Sequence, residues 1–177
     1  AEKSNHIAAM HAEGFPDYTI QPEGPRDEYS AIIFLEPFDW RNKRAFGYDM
    51  WSNPMRQDAM MRARDTGVAV TSGIITLVQE TDDNVQRGFL MYVPVYKQGM
   101  RIENIEDRRQ AFIGWVYSPF RMGDLMHGIL GNEPTDIAFE IYDNDSFVQD
   151  SLLFASDHQN AGNVALENAY LKRVATI

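Results

Sequence analysis

Four histidines, a large excess of carboxylates and a few arginines carry most of the chemistry this sequence offers. Metal ligands on one helix face sit about three or four positions apart. His6 and His11 are five apart and point in different directions, while His127 and His158 are remote from both. They read as surface or partly packed side chains, and no metal site is expected. Asp143-Asn144-Asp145 has the alternation of a calcium loop but lacks its glycine and distant glutamate, so it reads as a turn. The chain has no cysteine, which removes thiolate metal sites, redox dithiols and disulfides. Nucleophile-elbow, zincin, phosphate-loop and dinucleotide signatures are absent as well, and no cofactor is expected.

Carboxylates remain. Asp17, Glu36, Asp39, Asp49 and Glu80 lie in or beside β-rich stretches, where two of them could divide acid and base roles, for instance Asp49 with Glu80. With 26 acidic residues, spacing alone selects no pair. Asp49 stands out because it ends an aromatic-dense connection, residues 37–50, and immediately precedes a helix start. A carboxylate there either accepts helix amides or projects into a cavity beside a sheet, and both readings stand at this stage. Arg56, Arg62 and Arg64 read as partners of neighbouring acids rather than as an anion site.

The elements that must position these groups follow from pattern. Residues 1–12 fit a helix closed by Gly14 in a left-handed cap; the abrupt helical opening reads as the end of something longer. Residues 18–20 and 29–36 are β-rich, the second a buried strand stopped by Pro37. Ser52-Asn53-Pro54 opens a helix with Met55, Ala59 and Ala63 on its inner face and Gly67 at its end. Residues 68–79 and 88–96 form a hairpin around Asp82-Asp83-Asn84. A polar loop, 97–110, leads to a strand at 111–117. Ser118-Pro119 repeats the cap-plus-proline start and opens a helix with Met122, Leu125, Met126 and Ile129 along one stripe to Gly131. Strand candidates at 137–142, 152–155 and 173–177 follow.

The 177 residues, 44% apolar and 24% charged, are enough for one or two packed domains. The fold class is α+β, with a boundary near Gly131 and a thinner last unit. A net charge of −10 disfavours nucleic acid and anionic membrane surfaces, both of which need clustered Lys and Arg. The longest apolar runs, such as residues 31–35, fall far short of the roughly twenty residues of a membrane span.

The order of motifs is itself informative. Glu36-Pro37, Asn42, Gly47-Tyr48-Asp49-Met50, Ala63-Arg64-Asp65-Thr66-Gly67, Thr76-Leu77-Val78-Gln79-Glu80-Thr81, Val93-Pro94-Val95-Tyr96 and Gly114-Trp115-Val116-Tyr117 with Phe120-Arg121 follow one another. In that order they resemble the CHASE domain, the extracytoplasmic sensory part of transmembrane histidine kinases and diguanylate cyclases, which includes plant cytokinin receptors. The resemblance runs from about Gly14 to Gly131 and continues more weakly beyond.

The resemblance implies the end of a long stalk helix (residues 1–14), a membrane-distal PAS-like unit that holds a small-molecule ligand against an antiparallel sheet (15–131), and a membrane-proximal PAS-like unit (132–177). It further implies a piece of a longer, periplasmic part of an inner-membrane receptor, anchored by flanking helices and dimeric through them. Asp49 and Thr81 carry over as ligand contacts, with the strands around Tyr92 and Trp115 as walls. Tyr117 stands where the plant receptors have a small residue, so a cytokinin is not the expected ligand. An acceptor at Asp49 would suit a donor-bearing ligand such as an amine or amino-substituted heterocycle. The rival classes are a carboxylate-based enzyme and a ligand-free structural module that supplies dimer contacts.

Overall fold

The computed structural model describes residues 2–80, 85–131, 138–143 and 147–156. Helix α1 spans Glu2–Ala12 and ends at Gly14, whose φ of 103° is the left-handed conformation the sequence predicts. Helix α2, Pro54–Thr66, starts where the Asn53 side chain accepts from the Arg56 amide at 3.1 Å and stops at left-handed Gly67. Its first amide is dispensable, which is why Pro54 fits there. The inner face carries Arg56, Ala59, Met60 and Ala63, whereas Met55 is half-exposed. The expected face is thus rotated by one residue at its start, and a guanidinium enters the core where a thioether was expected.

The central sheet is antiparallel. Its spine is β3, Arg87–Tyr96, with β4, Phe112–Arg121, along one edge. The other edge is shared by β1, Val70–Thr71, and β2, Ile75–Thr76. Tyr92 lies opposite both Val70 and Tyr117, and Gly88 opposite both Ile75 and Arg121. Between β1 and β2 the ladder is carried by Ser72: its amide donates to the Leu90 carbonyl, and its hydroxyl accepts from the Leu90 amide at 3.0 Å. The hairpin is therefore as expected, with the first strand broken in two.

Three expectations are corrected. Helix α3, Ile105–Ala111, replaces most of the polar loop; Asn104 caps it through the Asp107 amide at 2.9 Å, and Glu106 and Asp107 sit at the positive end of its dipole. Such a short polar helix shows no apolar stripe. Ser118-Pro119 lies within β4 rather than opening a helix, opposite Met91 and Leu90. An edge strand accommodates a residue without an amide hydrogen, and helix α4, Met122–Leu130, starts only after it. Residues 18–20 and 29–36 are extended but belong to no sheet. Both edges of β3 are taken, so segment 30–32 pairs with the 47–50 stretch instead: the Met50 amide donates to the Ser30 carbonyl, Ile32 to Tyr48, and Gly47 to Ile32. Within this strap Ile32 is buried and Phe34 is 85% exposed.

The strands β5, Glu140–Tyr142, and β6, Leu152–Ala155, form a second antiparallel sheet. Phe139, Ile141, Leu153 and Phe154 pack with Met122, Leu125 and Met126 of α4 and with Phe89 of β3. The architecture is α+β, as expected. The third strand candidate, 173–177, lies outside the described residues. No helix among the described residues is long and apolar enough to cross a membrane.

The main core lies on the Leu90–Tyr92 face of β3, against α2: Ile32, Met50, Ala59, Met60, Ala63, Ile75, Leu77, Leu90 and Tyr92. A smaller cluster joins Met10 of α1 to Tyr18 and Ile20. His6 and His11 belong to it, one ring nitrogen bonded to the Tyr18 hydroxyl at 3.0 Å and the other to the Tyr18 carbonyl at 2.9 Å.

Candidate functional site

Between the strap and β4 lies a cavity of about 530 Å³, walled by Ser30, Ala31, Ile32, Ile33, Phe34, Leu35 and Glu36 on one side and Trp115, Val116 and Tyr117 on the other. Met50, Met60 and Tyr92 complete it. A volume of this size suits a small organic molecule, and the lining is the usual mixture of apolar surface with a few polar groups.

Pairing of β3 and β4 decides which aromatic side chains wall it. Because strand side chains alternate, Tyr92 and Tyr117, directly opposite each other, share a face; their ring centroids are 6.1 Å apart. Trp115, two residues away on the same face, is fixed by its indole N–H, which donates to the Met60 carbonyl at 2.9 Å, and by tilted contact with Trp51. Among the described residues neither tyrosine hydroxyl has a hydrogen-bond partner, although both are buried. A buried hydroxyl left unpaired is uncommon and costs about 1–3 kcal/mol. Burial pushes the Tyr117 phenol up to about 12, against the opposing influence of the Arg56 charge. Tyr92 shifts the same way for the same reason.

Arg56 enters from the first turn of α2 and is 3% exposed. One guanidinium nitrogen approaches the Met50 sulfur at 3.4 Å, another donates to the Thr76 carbonyl at 3.2 Å, and the group lies 4.8 Å from the Tyr48 ring centroid. Among the described residues Nε has no partner and no carboxylate pairs with this arginine. The expected acidic neighbour is present for Arg62, with Asp58 at 2.9 Å, and for Arg64, with Asp65 at 2.9 Å, but not for Arg56.

Asp49 is fully buried and is not part of the cavity wall. Its carboxylate caps a single 3-10 turn, Met50–Ser52, accepting from the Trp51 amide at 3.1 Å. The same oxygen accepts from the Ser30 amide at 2.8 Å, and the other from Arg26 Nε at 2.7 Å. The capping reading therefore describes its contacts, with the addition of an ion pair that sequence reasoning missed. Arg26 also donates to the Pro22 carbonyl at 2.5 Å. Asp49 thus ties the strap to the 3-10 turn that delivers Met50 to the cavity. Arg26 and Ser30 lie about twenty residues upstream with no spacing rule linking them to Asp49, and no signal in the sequence singles them out.

Of the sequence-predicted site residues, the structure brings Tyr92, Trp115 and Tyr117 together around the cavity. Thr81 lies outside the described residues. Glu80 is held elsewhere: it accepts from Arg121 at 2.7 Å and from the Gln86 amide at 3.0 Å. Asp49 and Glu80 therefore serve different arginines, an arrangement unlike a catalytic carboxylate dyad.

Comparison with known proteins bears on the same residues. The family profile described as CHASE domain matches residues 1–154. A hybrid signal transduction histidine kinase A of Dictyostelium discoideum is 28% identical over 148 residues, covering 80% of this chain and 7% of that protein. A probable histidine kinase 6 of rice, Oryza sativa subsp. japonica, is 28% identical over 128 residues, covering 70% of this chain and 12% of that protein. The chain spans only a small fraction of the length of either relative. Its matched span includes both walls of the cavity, the strap, and the aromatic strands, and the chain belongs to the CHASE domain family, the extracytoplasmic sensory domains of membrane receptors.

Proposed function

We propose that this chain is the ligand-sensing domain of a transmembrane signalling receptor of the histidine kinase or diguanylate cyclase type. It takes a small molecule in the cavity between the strap and β4, and the output activity resides elsewhere in the receptor. The observation that carries this reading is the cavity of about 530 Å³ between the strap and β4, walled by Tyr92, Trp115 and Tyr117 with Met50 and Met60. Membership of a sensory family and similarity to histidine kinases support it.

In this reading Tyr92, Trp115 and Tyr117 touch the ligand, Thr81 completes the site as the family resemblance implies, and Asp49 is a positioning residue that holds the strap. Residues 15–131 form the membrane-distal PAS-like unit and 132–177 the proximal one, with residues 1–14 ending a stalk helix. The receptor sits in the inner membrane with this part in the periplasm, anchored through flanking helices and dimeric through them. A ligand that binds one arrangement of strap and sheet better than the other shifts their populations, and only that difference is transmitted.

A thermal-shift screen of nucleobases, amines, amino acids and carboxylates tests the reading. A ligand that binds only the folded chain raises the melting temperature with its concentration. A saturable shift from one chemical class, lost when Trp115 and Tyr117 are replaced, is the expected result. A flat response across all four classes counts against ligand sensing.

A further inference from the structure

The cavity is bounded by two strand edges. Side chains along an extended chain alternate between two faces, so a wall supplied by consecutive residues is built from the backbone edge itself. Trp115, Val116 and Tyr117 line one side without interruption, and residues 30–36 line the other. Hydrogen bonds fix which backbone groups each edge offers. The Leu90 carbonyl accepts from the Ser72 amide and the Leu90 amide donates to the Ser72 hydroxyl, both on the far side of β3 from β4. Backbone groups along a strand alternate in direction, so those of Leu90, Tyr92 and Pro94 all turn away from β4. Their partners in the ladder are Pro119, Tyr117 and Trp115. The amides and carbonyls of Trp115 and Tyr117 therefore point out of the sheet toward the cavity, two donor–acceptor sets about 7 Å apart. Pro119 is tolerated for the same reason, since its nitrogen faces that edge. On the strap, Ser30 and Ile32 bond to the 47–50 stretch, which turns the backbone groups of Ala31 and Ile33 the other way. Among the described residues none of these outward groups on Ala31, Ile33, Trp115 or Tyr117 has a hydrogen-bond partner.

We propose that the cavity takes an extended apolar peptide segment, which adds a strand to the free edge of β4 through the backbone groups of Trp115 and Tyr117. This rests on the cavity being the ligand site and names the class of ligand. Strand addition draws affinity from main-chain hydrogen bonds and selectivity from alternate side chains. A peptide residue directly opposite Trp115 or Tyr117 in an antiparallel pair exchanges both hydrogen bonds with it and shares its face. That is the inner face, where Met50, Met60 and Tyr92 complete the wall. The peptide residue between the two sits beside Val116, which is 61% exposed. Three residues therefore suffice, with apolar side chains required at the first and third and little demanded of the second. Apart from exposed Glu36 the described lining carries no charge, so the inward positions disfavour charged side chains.

Blocked tripeptides provide the test on this 177-residue chain: acetyl-Val-Ala-Val-amide, the same peptide N-methylated at both valines, and acetyl-Asp-Ala-Asp-amide. Binding is read by calorimetry and by backbone amide exchange. The valine peptide is expected to bind saturably, and the N-methylated and acidic peptides at least about tenfold more weakly. The amides of Trp115 and Tyr117 exchange fast in the free chain and slow down on binding. That of Val116, which faces its partner Val93 in β3, stays protected throughout. Equal binding of the N-methylated peptide overturns strand addition, as does binding that leaves the Trp115 and Tyr117 amides unprotected. Failure of the valine peptide to bind overturns it too; a hit in the small-molecule screen above then leaves the sensing reading standing, and a flat screen removes both.

Discussion

Arg26 Nε donates to Asp49 Oδ2 at 2.7 Å, and the second oxygen of that carboxylate holds the amides of Ser30 and Trp51. One fully buried side chain thereby joins the chain before the strap, the strap itself and the turn into α2. It lies beside the cavity without lining it and fixes where the strap runs.

Removing that carboxylate should loosen the strap. Asp49→Ala leaves two amides and a guanidinium without their acceptor and is expected to cost about 2–4 kcal/mol. Asp49→Asn retains one acceptor oxygen and should cost less. Urea unfolding followed by circular dichroism measures both. Equal stability of the Ala variant and the parent would show that the strap does not depend on this contact.

Gly47 is the hinge of the same construction. Its φ is 81°, and a methyl group there would run into the Thr19 carbonyl oxygen. Strain and collision act together, so Gly47→Ala should destabilise by about 3 kcal/mol. Because the Gly47 amide donates to the Ile32 carbonyl and the Gln21 amide to the Gly47 carbonyl, amide exchange at position 47 and at Gln21 should accelerate selectively. Unchanged protection there contradicts the assigned pairing.

The acid limb of stability should be shaped by Asp65. Hydrogen bonding from Arg109, reinforced by Arg64, lowers its carboxyl from 3.8 to about 2 against the effect of burial. A lowered folded-state value means that the unfolded chain takes up the proton first as the pH falls. The contribution is therefore complete above pH 3.8 and is lost on descending toward pH 2. Stability measured across that window should fall less steeply in Asp65→Asn than in the parent.

The alkaline limb belongs to the buried phenols. Burial, with a smaller contribution from Asp49, raises Tyr18 from 10.0 to about 12, and burial raises Tyr117 to about 12. Here the folded state holds its protons longer than the unfolded chain. Stability is full below pH 10 and declines as the pH rises toward 12. Tyrosinate absorbance of the folded chain should show a late-ionising group of residues whose release coincides with unfolding. Replacement of Tyr117 by Phe should shrink that phase, and a single early transition in a folded chain would speak against the burial.

The sequence by itself determined the local structure that short-range chemistry controls. Asn53-Pro54 and Gly67 bound α2 because capping and left-handed turns depend on a few adjacent residues. The β-rich run at 88–96, set off by turn residues, specified β3, and the ordered motifs specified the family. Residues 29–36 were legible as extended but not as a strap, since that outcome depends on which edges of β3 other strands already fill. Helix α3 was hidden because its capping residues compete with an otherwise polar composition.

The site divides in the same way. Tyr92, Trp115 and Tyr117 were placed beside the ligand by the family resemblance, which the order of short motifs in the sequence carries. Three facts needed the tertiary structure: Asp49 turns to Arg26, Arg56 enters the core with no carboxylate partner among the described residues, and the hydroxyls of Tyr92 and Tyr117 are buried. Each joins residues distant in sequence, and the free energy of burying a charge or a hydroxyl is set by neighbours that only folding brings together. Composition could count the charges; packing alone decided which of them meet.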